Sequence, residues 1–327
     1  MGCEASTTSG NEFEAITEKA VASGEFNGNI LIAKGGVVLY EASIGTANVD
    51  TGAKNTKDSR FLIASVSKPF TAVLVMQLIE LGKLKPETRL DAVSIALVGT
   101  SAGAITIHQL LTHTSGIEER IGRDPWHRLT LADLKDARVK KVDGIEYSNT
   151  GFVCLALVIE QLSGSSLESA LQTGIFGPAG MRDSGVLRTG KIPDKFSVGH
   201  HGQLEVESAK LDFAPEAVDG AGSIYSTLGD LLKFDRALAA NTLLKPETQA
   251  LMYQQHVPGR YGYGWFLSEQ GGRYYPWHSG DMGGYSASMA RQINRDEVVI
   301  VLGNTAATHA RELQREFLQV LKANAGS

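Results

Sequence analysis

The chain has 327 residues, 43% hydrophobic and 20% charged, enough to bury a large core and to divide into two lobes. A formal net charge of -5, with no block of lysine and arginine, excludes nucleic acid or an anionic membrane surface as an expected partner. No run approaches the roughly 18 apolar residues of a membrane span. The two cysteines, Cys3 and Cys154, are too differently placed to suggest a disulfide framework.

Residues 1–10 read as a flexible polar leader. Cys3 within it has three readings: the lipidated first residue of a bacterial lipoprotein, part of a myristoylation signal, or an incidental thiol. The first implies a periplasmic or lipoprotein location with a trimmed signal peptide, and the last leaves a cytoplasmic one; membrane contact is expected only if Cys3 is lipidated. An amphipathic helix is expected over 13–21, then strands over 29–33 and 37–44 around the Lys34-Gly35-Gly36 turn. A helix starting at Ser65 should run to about Leu81, where Gly82 and Pro86 close it.

From Ile105 helical signals dominate. Thr106 can cap a helix over 107–111, Thr130 one over 131–137, and Asn149 or Thr150 can open one over 151–162 in which Cys154 packs. Another helix over 228–239 carries a capping box at Thr227-x-x-Asp230. Segments 263–268, 273–278, 285–292 and 298–302 are strand-like and separated by glycine or charged turns, and a last helix spans 309–323. Leu-Lys-Pro-Glu-Thr occurs at 84–88 and 244–248, each proline placed to start a helical turn. The fold class is α/β in two lobes. One antiparallel sheet is drawn from both termini (11–64 and 186–327), a mostly helical lobe (65–185) is inserted, and the active site lies in the cleft between them.

Three motifs carry chemistry. In Ser65-Val66-Ser67-Lys68 a helical turn places a hydroxyl beside an amine, and a desolvated lysine is a base that can activate a serine. Taken alone, this spacing arises by chance, and an N-cap serine with a solvated lysine satisfies it equally. Tyr147-Ser148-Asn149 sits in a turn leading into a helix, where a phenol can relay a proton and an amide can hold a lysine or bond a substrate carbonyl. Trp277-His278-Ser279-Gly280 lies on or near a strand edge; His278 can orient an acyl or carboxylate group, Ser279 can hydrogen-bond it, and Gly280 allows close approach. Arg188-Thr189-Gly190 is rejected as the third motif because the turn at 191–194, with Pro193, follows it. His108, His113, His200 and His201 have no carboxylate or cysteine at metal-ligand spacing, so no metal is expected, and His113 suits a structural hydrogen bond at its helix end.

In this order, Ser65-x-x-Lys68, Tyr147-x-Asn149 and His278-Ser279-Gly280 resemble the serine β-lactamase and penicillin-binding protein superfamily. More narrowly they resemble its branch of class C β-lactamases, DD-peptidases and family VIII esterases. Segments 61–68, 107–116 and 261–265 match the same family's habits, and the likeness covers about residues 11–325. The resemblance implies a β-lactamase-like fold with Ser65 as the acylated nucleophile, Lys68 as base and Tyr147 as proton relay to the leaving group. Asn149, His278, Ser279 and Gly280 would contact substrate, and the backbone N–H groups of Ser65 and Asp281 would form the oxyanion hole. No cofactor is implied. The expected substrate is a small ester, a short peptide or a β-lactam.

His278 stands where the commonest third motif has lysine, which weakens recognition of a β-lactam carboxylate. A carboxylesterase on short-chain esters is therefore expected first, with a D-amino-acid peptidase, DD-carboxypeptidase or β-lactamase as alternatives. A penicillin-binding sensor that is acylated without turnover is the alternative of another class.

Overall fold

A six-stranded antiparallel sheet joins the two ends of the chain. The computed structural model describes residues 4–121, 123–200, 211, 213–270 and 273–324, so Cys3 and His201 lie outside the described residues. The strands are β1 (Gly28–Lys34), β2 (Val37–Ile44), β3 (Phe266–Gln270), β4 (Arg273–Met282), β5 (Tyr285–Gln292) and β6 (Glu297–Gly303). Their spatial order is β2-β1-β6-β5-β4-β3. β1 and β6 are continuous apolar runs, as central strands covered on both faces must be, and they pair from Gly28 opposite Gly303 to Lys34 opposite Glu297.

Six of the helices position the site: α1 (Glu4–Ala22), α2 (Ser67–Glu80), α3 (Ile107–Leu111), α4 (Asn149–Ser163), α5 (Leu228–Ala239) and α6 (Ala310–Ala323). α1 and α6 cover one sheet face, where Phe13 and Phe317 pack on Ile30, Ile32, Val299 and Val301. On the other face Leu31, Ala33, Val298 and Ile300 join a core that continues into α2, α4 and α5. Phe70 of α2 stacks on Phe234 of α5 at 3.9 Å within it. α2 and α4 are buried almost all round, which is why their sequences lack a polar stripe.

Several boundaries differ from expectation. α1 begins at Glu4, so residues 4–10, expected as a flexible leader, belong to the first helix; once nucleated, a helix gains a hydrogen bond for each residue added. Ser65 lies in a single 3₁₀ turn, Ala64–Val66, and the α-helix starts two residues later, because Ala64 takes a left-handed φ of 46° that no helix continues through. Ser148 caps α4 by accepting a hydrogen bond from Gly151 N at 3.0 Å, because the Asn149 and Thr150 side chains are drawn to Lys68 and Glu119 instead. The strand expected to end at His278 runs on to Met282. The first Leu-Lys-Pro-Glu-Thr copy makes one turn, Thr88 N to Lys85 O, whereas the second starts the helix Pro246–Met252. The cap at Thr106 forms as expected, whereas at Thr227 only half of the expected box forms: Thr227 accepts from Asp230 N, but the Asp230 carboxylate accepts from Asp183 N and Ser184 Oγ instead.

Candidate active site

The turn that carries Ser65 is clamped on two sides. Toward the chain interior, Ile63 N donates to Ile224 O at 2.9 Å, and Ile224 N donates to Ser67 Oγ at 3.2 Å. Toward the sheet, the turn presses on β4 at Gly280, where a Cβ would lie 2.3 Å from Ser65 N. Only glycine permits this approach. The left-handed Ala64 lets the chain leave the Phe61–Leu62 strand and turn at once into α2, and such strained residues concentrate at functional sites.

Lys68 is fully buried one turn along. Its Nζ lies 2.8 Å from Ser65 Oγ, 2.8 Å from Asn149 Oδ1 and 3.0 Å from the Ala221 carbonyl oxygen. Burial lowers its pKa from 10.5 to about 7, while the charge of Glu119 pulls the other way. A neutral amine has two hydrogens and one lone pair. The Asn149 and Ala221 oxygens only accept, so they take the hydrogens, and the lone pair is left facing the Ser65 hydroxyl.

The Ala221 carbonyl is itself held. Asp219 accepts from Arg188 Nη1 at 2.8 Å and Ser223 Oγ at 2.7 Å, with Arg128 Nε at 3.3 Å, and Gly220 passes so close to Phe152 that a Cβ would lie 2.7 Å from its carbonyl oxygen. Burial raises the Asp219 carboxyl's pKa, and the two arginines and Ser223 lower it.

Tyr147 stands beside this pair with 40% of its surface open to the cleft. Lys68 Nζ sits 4.7 Å from its ring centroid. Desolvation raises the phenol's pKa, and the Ser65 side chain lowers it. The ring packs on His113 with centroids 4.3 Å apart and lies parallel to Phe266 at 6.2 Å. Asn149 is the first residue of α4, and Glu119 accepts hydrogen bonds from its backbone N at 2.8 Å and from Thr150 N at 3.1 Å. A carboxylate at a helix N-terminus meets unsatisfied N–H groups and the positive end of the dipole.

On β4, pairing with β3 stops at Trp277, whereas pairing with β5 continues to Met282. Among the described residues, 278–282 therefore offer one free strand edge beside Ser65. Ser279 lies opposite Ser288 and Asp281 opposite Ser286 in the β5 register. The His278 nitrogens face protein groups: Nδ1 is 2.7 Å from Ser279 O, and Nε2 is 3.4 Å from the Tyr261 hydroxyl. The structure thus gathers Ser65, Lys68, Tyr147, Asn149 and Gly280 tightly, with His278 behind them.

Sequence reasoning did not single out Glu119, Asp219, the Ala221 carbonyl or Tyr261. Each acts through a partner distant in sequence, and only the run of small residues at 220–223 hinted that the chain passes close to something. Arg188 pairs with Asp219 in a turn outside the six-stranded sheet, as its rejection required. Cys154 is buried, which pushes its thiol up to about 12. Among the described residues no group of three or more His, Cys, Asp or Glu is arranged to hold a metal ion. Leu187, Phe196, Phe213 and Tyr285, with Trp126 and Ile192 at the rim, line an apolar hollow of about 380 Å³. Its floor is joined to the site through Leu62 and Met282, which share one apolar cluster with Leu187 and Tyr285.

A serine facing a buried amine, where an antiparallel sheet meets a helical region, is the layout of a serine hydrolase. The chain belongs to the Beta-lactamase family, whose model matches residues 13–324. It is 32% identical over 350 aligned positions to penicillin-binding protein 4* of Bacillus subtilis (strain 168), covering 95% of this chain and 73% of that protein. It is 30% identical over 285 positions to esterase EstB of Burkholderia gladioli, covering 72% of each. The crystal structure of a penicillin binding protein from Bacillus halodurans superposes with a TM-score of 0.81 at 27% identity, covering 95% of this chain and 98% of that one.

Proposed function

We propose that this serine hydrolase is a carboxylesterase of the family VIII type, acting on short-chain esters through an acyl-enzyme. The donor count at Lys68 carries the acyl-enzyme chemistry: two carbonyl oxygens take both hydrogens of a neutral amine, and its lone pair faces Ser65. Ser65 Oγ attacks the ester carbonyl while Lys68 takes the hydroxyl proton. The Ser65 and Asp281 backbone N–H groups hold the oxyanion of the tetrahedral intermediate, Ser65 from the nucleophile turn and Asp281 from the free edge of β4. Tyr147 gives its proton to the departing alkoxide and regains one from Lys68. Asn149 orients Lys68 and bonds the substrate carbonyl side, and Ser279 and Gly280 line the strand edge on which the substrate lies. Water then enters the leaving-group space, loses a proton by the same route and releases the acid.

The neutral form of His278, favoured by its burial, and the apolar hollow beyond Met282 support an ester over a substrate recognised by its carboxylate. The likeness to penicillin-binding protein 4* supports a second reading, hydrolysis of D-alanyl peptides or β-lactams. Initial rates on p-nitrophenyl acetate and butyrate, a D-alanyl-D-alanine peptide and nitrocefin decide between them, with Ser65→Ala as control. Ester turnover that Ser65→Ala abolishes is the expected result. A higher kcat/KM on the peptide or lactam replaces the ester reading, and activity surviving Ser65→Ala overturns the assignment of the nucleophile. Stoichiometric labelling by a fluorescent penicillin with no turnover of any substrate makes the protein a sensor.

A further inference from the structure

His113 belongs to none of the three motifs, yet it joins two of them. The backbone N of Ser148 lies 3.0 Å from His113 Nδ1, and because a backbone N–H only donates, Nδ1 must carry a lone pair. The proton of His113 is therefore on Nε2, which points at the Tyr261 hydroxyl 3.1 Å away. Having accepted from His113, that hydroxyl sends its own proton toward its other partner, His278 Nε2, at 3.4 Å. On the far side of His278, Nδ1 meets the Ser279 carbonyl oxygen at 2.7 Å, an atom that only accepts, so Nδ1 carries the proton. Four contacts thus run in one direction with one hydrogen in each.

All three side chains are buried, so a second hydrogen in any of these contacts has no water to turn to. An imidazolium at His113 would set two N–H groups against each other at Ser148. An imidazolium at His278 would leave the Tyr261 hydroxyl with two donors and no acceptor.

We propose that His113, Tyr261 and His278 form a one-way hydrogen-bond chain that holds the third-motif histidine as its neutral Nδ1–H tautomer, so that the leaving-group side of the site takes an uncharged alcohol rather than one bearing a carboxylate. Burial, the Lys68 charge and the Arg311 charge lower His278 to about 3, against the hydrogen bond to Ser279 O. Burial first, then Lys68 and His278, hold His113 well below the usual histidine range. His278 lies on the Tyr147 side of the site, its ring 6.3 Å from that of Tyr147 and 5.2 Å from that of Phe266. Buried behind Tyr147 and held neutral, His278 therefore gives this side of the site no cation for a leaving group's carboxylate. His113 and Tyr261 are positioning residues: they act through Ser148 and His278. The substrate half of the proposal rests on the ester reading above; the tautomer half does not.

The test has a spectroscopic arm and a kinetic arm. In wild-type protein with ¹⁵N-labelled histidine, His278 should show a protonated Nδ1 and a bare Nε2, and His113 the reverse, with neither titrating between about pH 6 and 8.5. An imidazolium or Nε2–H tautomer at His278 overturns the chain, and this measurement stands whether or not any variant folds. Tyr261→Phe should release the His278 tautomer and lower kcat on p-nitrophenyl butyrate by about tenfold with KM little changed. An unchanged His278 signature with unchanged kcat overturns the link. In the kinetic arm, the acetyl ester of methyl 3-hydroxybenzoate should exceed that of 3-hydroxybenzoate in kcat/KM by about a hundredfold, the cost of desolvating a carboxylate with no cation beside it. Equal rates on the two overturn the selectivity. If the D-alanyl-D-alanine peptide or nitrocefin exceeds the esters in kcat/KM while the ¹⁵N pattern holds, the ester reading fails and the hydrogen-bond chain remains.

Discussion

Replacing Gly280 by alanine puts a carbon where none fits. The new Cβ would lie 2.3 Å from Ser65 N and 2.9 Å from both Ala64 Cβ and the Ile63 carbonyl oxygen. Unstrained contacts between such atoms are about 3.5 Å, so β4 and the nucleophile turn must part by about 1 Å. None of the three atoms is the tip of a flexible side chain, and the turn is pinned to Ile224 at 2.9 and 3.2 Å. The proposed oxyanion donors sit on opposite sides of this gap, Ser65 N–H on the turn and Asp281 N–H on the strand. Moving one by that much is equivalent to losing it, and kcat should fall about 10²- to 10³-fold. Overpacking should also cost about 1–3 kcal/mol of stability. Stopped-flow hydrolysis of p-nitrophenyl butyrate reads the first effect, and urea unfolding followed by circular dichroism reads the second. Gly10→Ala, whose Cβ meets nothing within 4 Å, serves as control. A folded Gly280→Ala protein that keeps more than about a third of wild-type kcat refutes the geometric reasoning, since a 1 Å displacement of reacting groups does not leave rates so nearly intact.

With Lys68 lowered to about 7, kcat/KM should fall on the acid side of that value as the base becomes protonated. Between that value and the unfolded lysine's 10.5, the unfolded chain binds more protons, so raising the pH stabilises the fold. Relative to Lys68→Met, the wild type should therefore gain about 2 kcal/mol between about pH 7 and 9, read from urea melts; parallel pH dependence would mean the lysine is charged. Glu119→Gln removes a charge that raises Lys68, so the acid limb of the rate profile should move to lower pH, and an upward move refutes the electrostatic link. Asp219→Ala takes the shared partner from Arg188 and Arg128, whose side chains are 19% and 36% exposed. Because solvent screens both, the loss should be about 2–3 kcal/mol rather than that of a fully buried pair, with a drop in kcat as the Ala221 carbonyl leaves Lys68. Wild-type kcat in that variant would separate Asp219 from the site.

How far the site was legible depended on the range of each interaction. Ser65 and Lys68 face each other through local geometry, and Tyr147 and Asn149 flank a helix start, so spacing made both pairs candidates, and the resemblance of three motifs in order gave them their roles. The antiparallel sheet was readable because its strands are short, mostly apolar runs separated by local turns, and the glycines at 35 and 36, at φ 57° and 80°, mark its first hairpin. The start of α4 was placed two residues late, at 151 rather than 149, because capping propensity does not know that Asn149 and Thr150 already have partners at Lys68 and Glu119. The left-handed Ala64 was invisible for a similar reason. An alanine carries no signal for positive φ, and the strain is imposed by β4 and the Ile224 strand from outside the segment. His113 was read as a structural hydrogen-bonding residue, which it is, but its partners Ser148 and Tyr261 lie 35 and 148 residues away.

The buried cluster sorts its protons by hydrogen-bond supply. Lys68, His113 and His278 are all shifted toward their neutral forms, burial first, and the charge of Lys68 lowers both histidines further. A proton on any one of them therefore opposes a proton on the other two, and near neutrality the cluster accommodates one at most. The two histidines cannot compete for it, since their nitrogens are already committed to Ser148, Tyr261 and Ser279. Lys68 alone has an exchangeable position, its third contact with Ser65, and Glu119 alone supplies a carboxylate charge that favours its protonation. The substitution of histidine for lysine in the third motif follows the same logic. A second buried ammonium in place of His278 would depress Lys68 further, because like charges in one buried site each disfavour the other's charged form, whereas a neutral, tautomer-locked imidazole leaves the base free to titrate near the pH at which it must work.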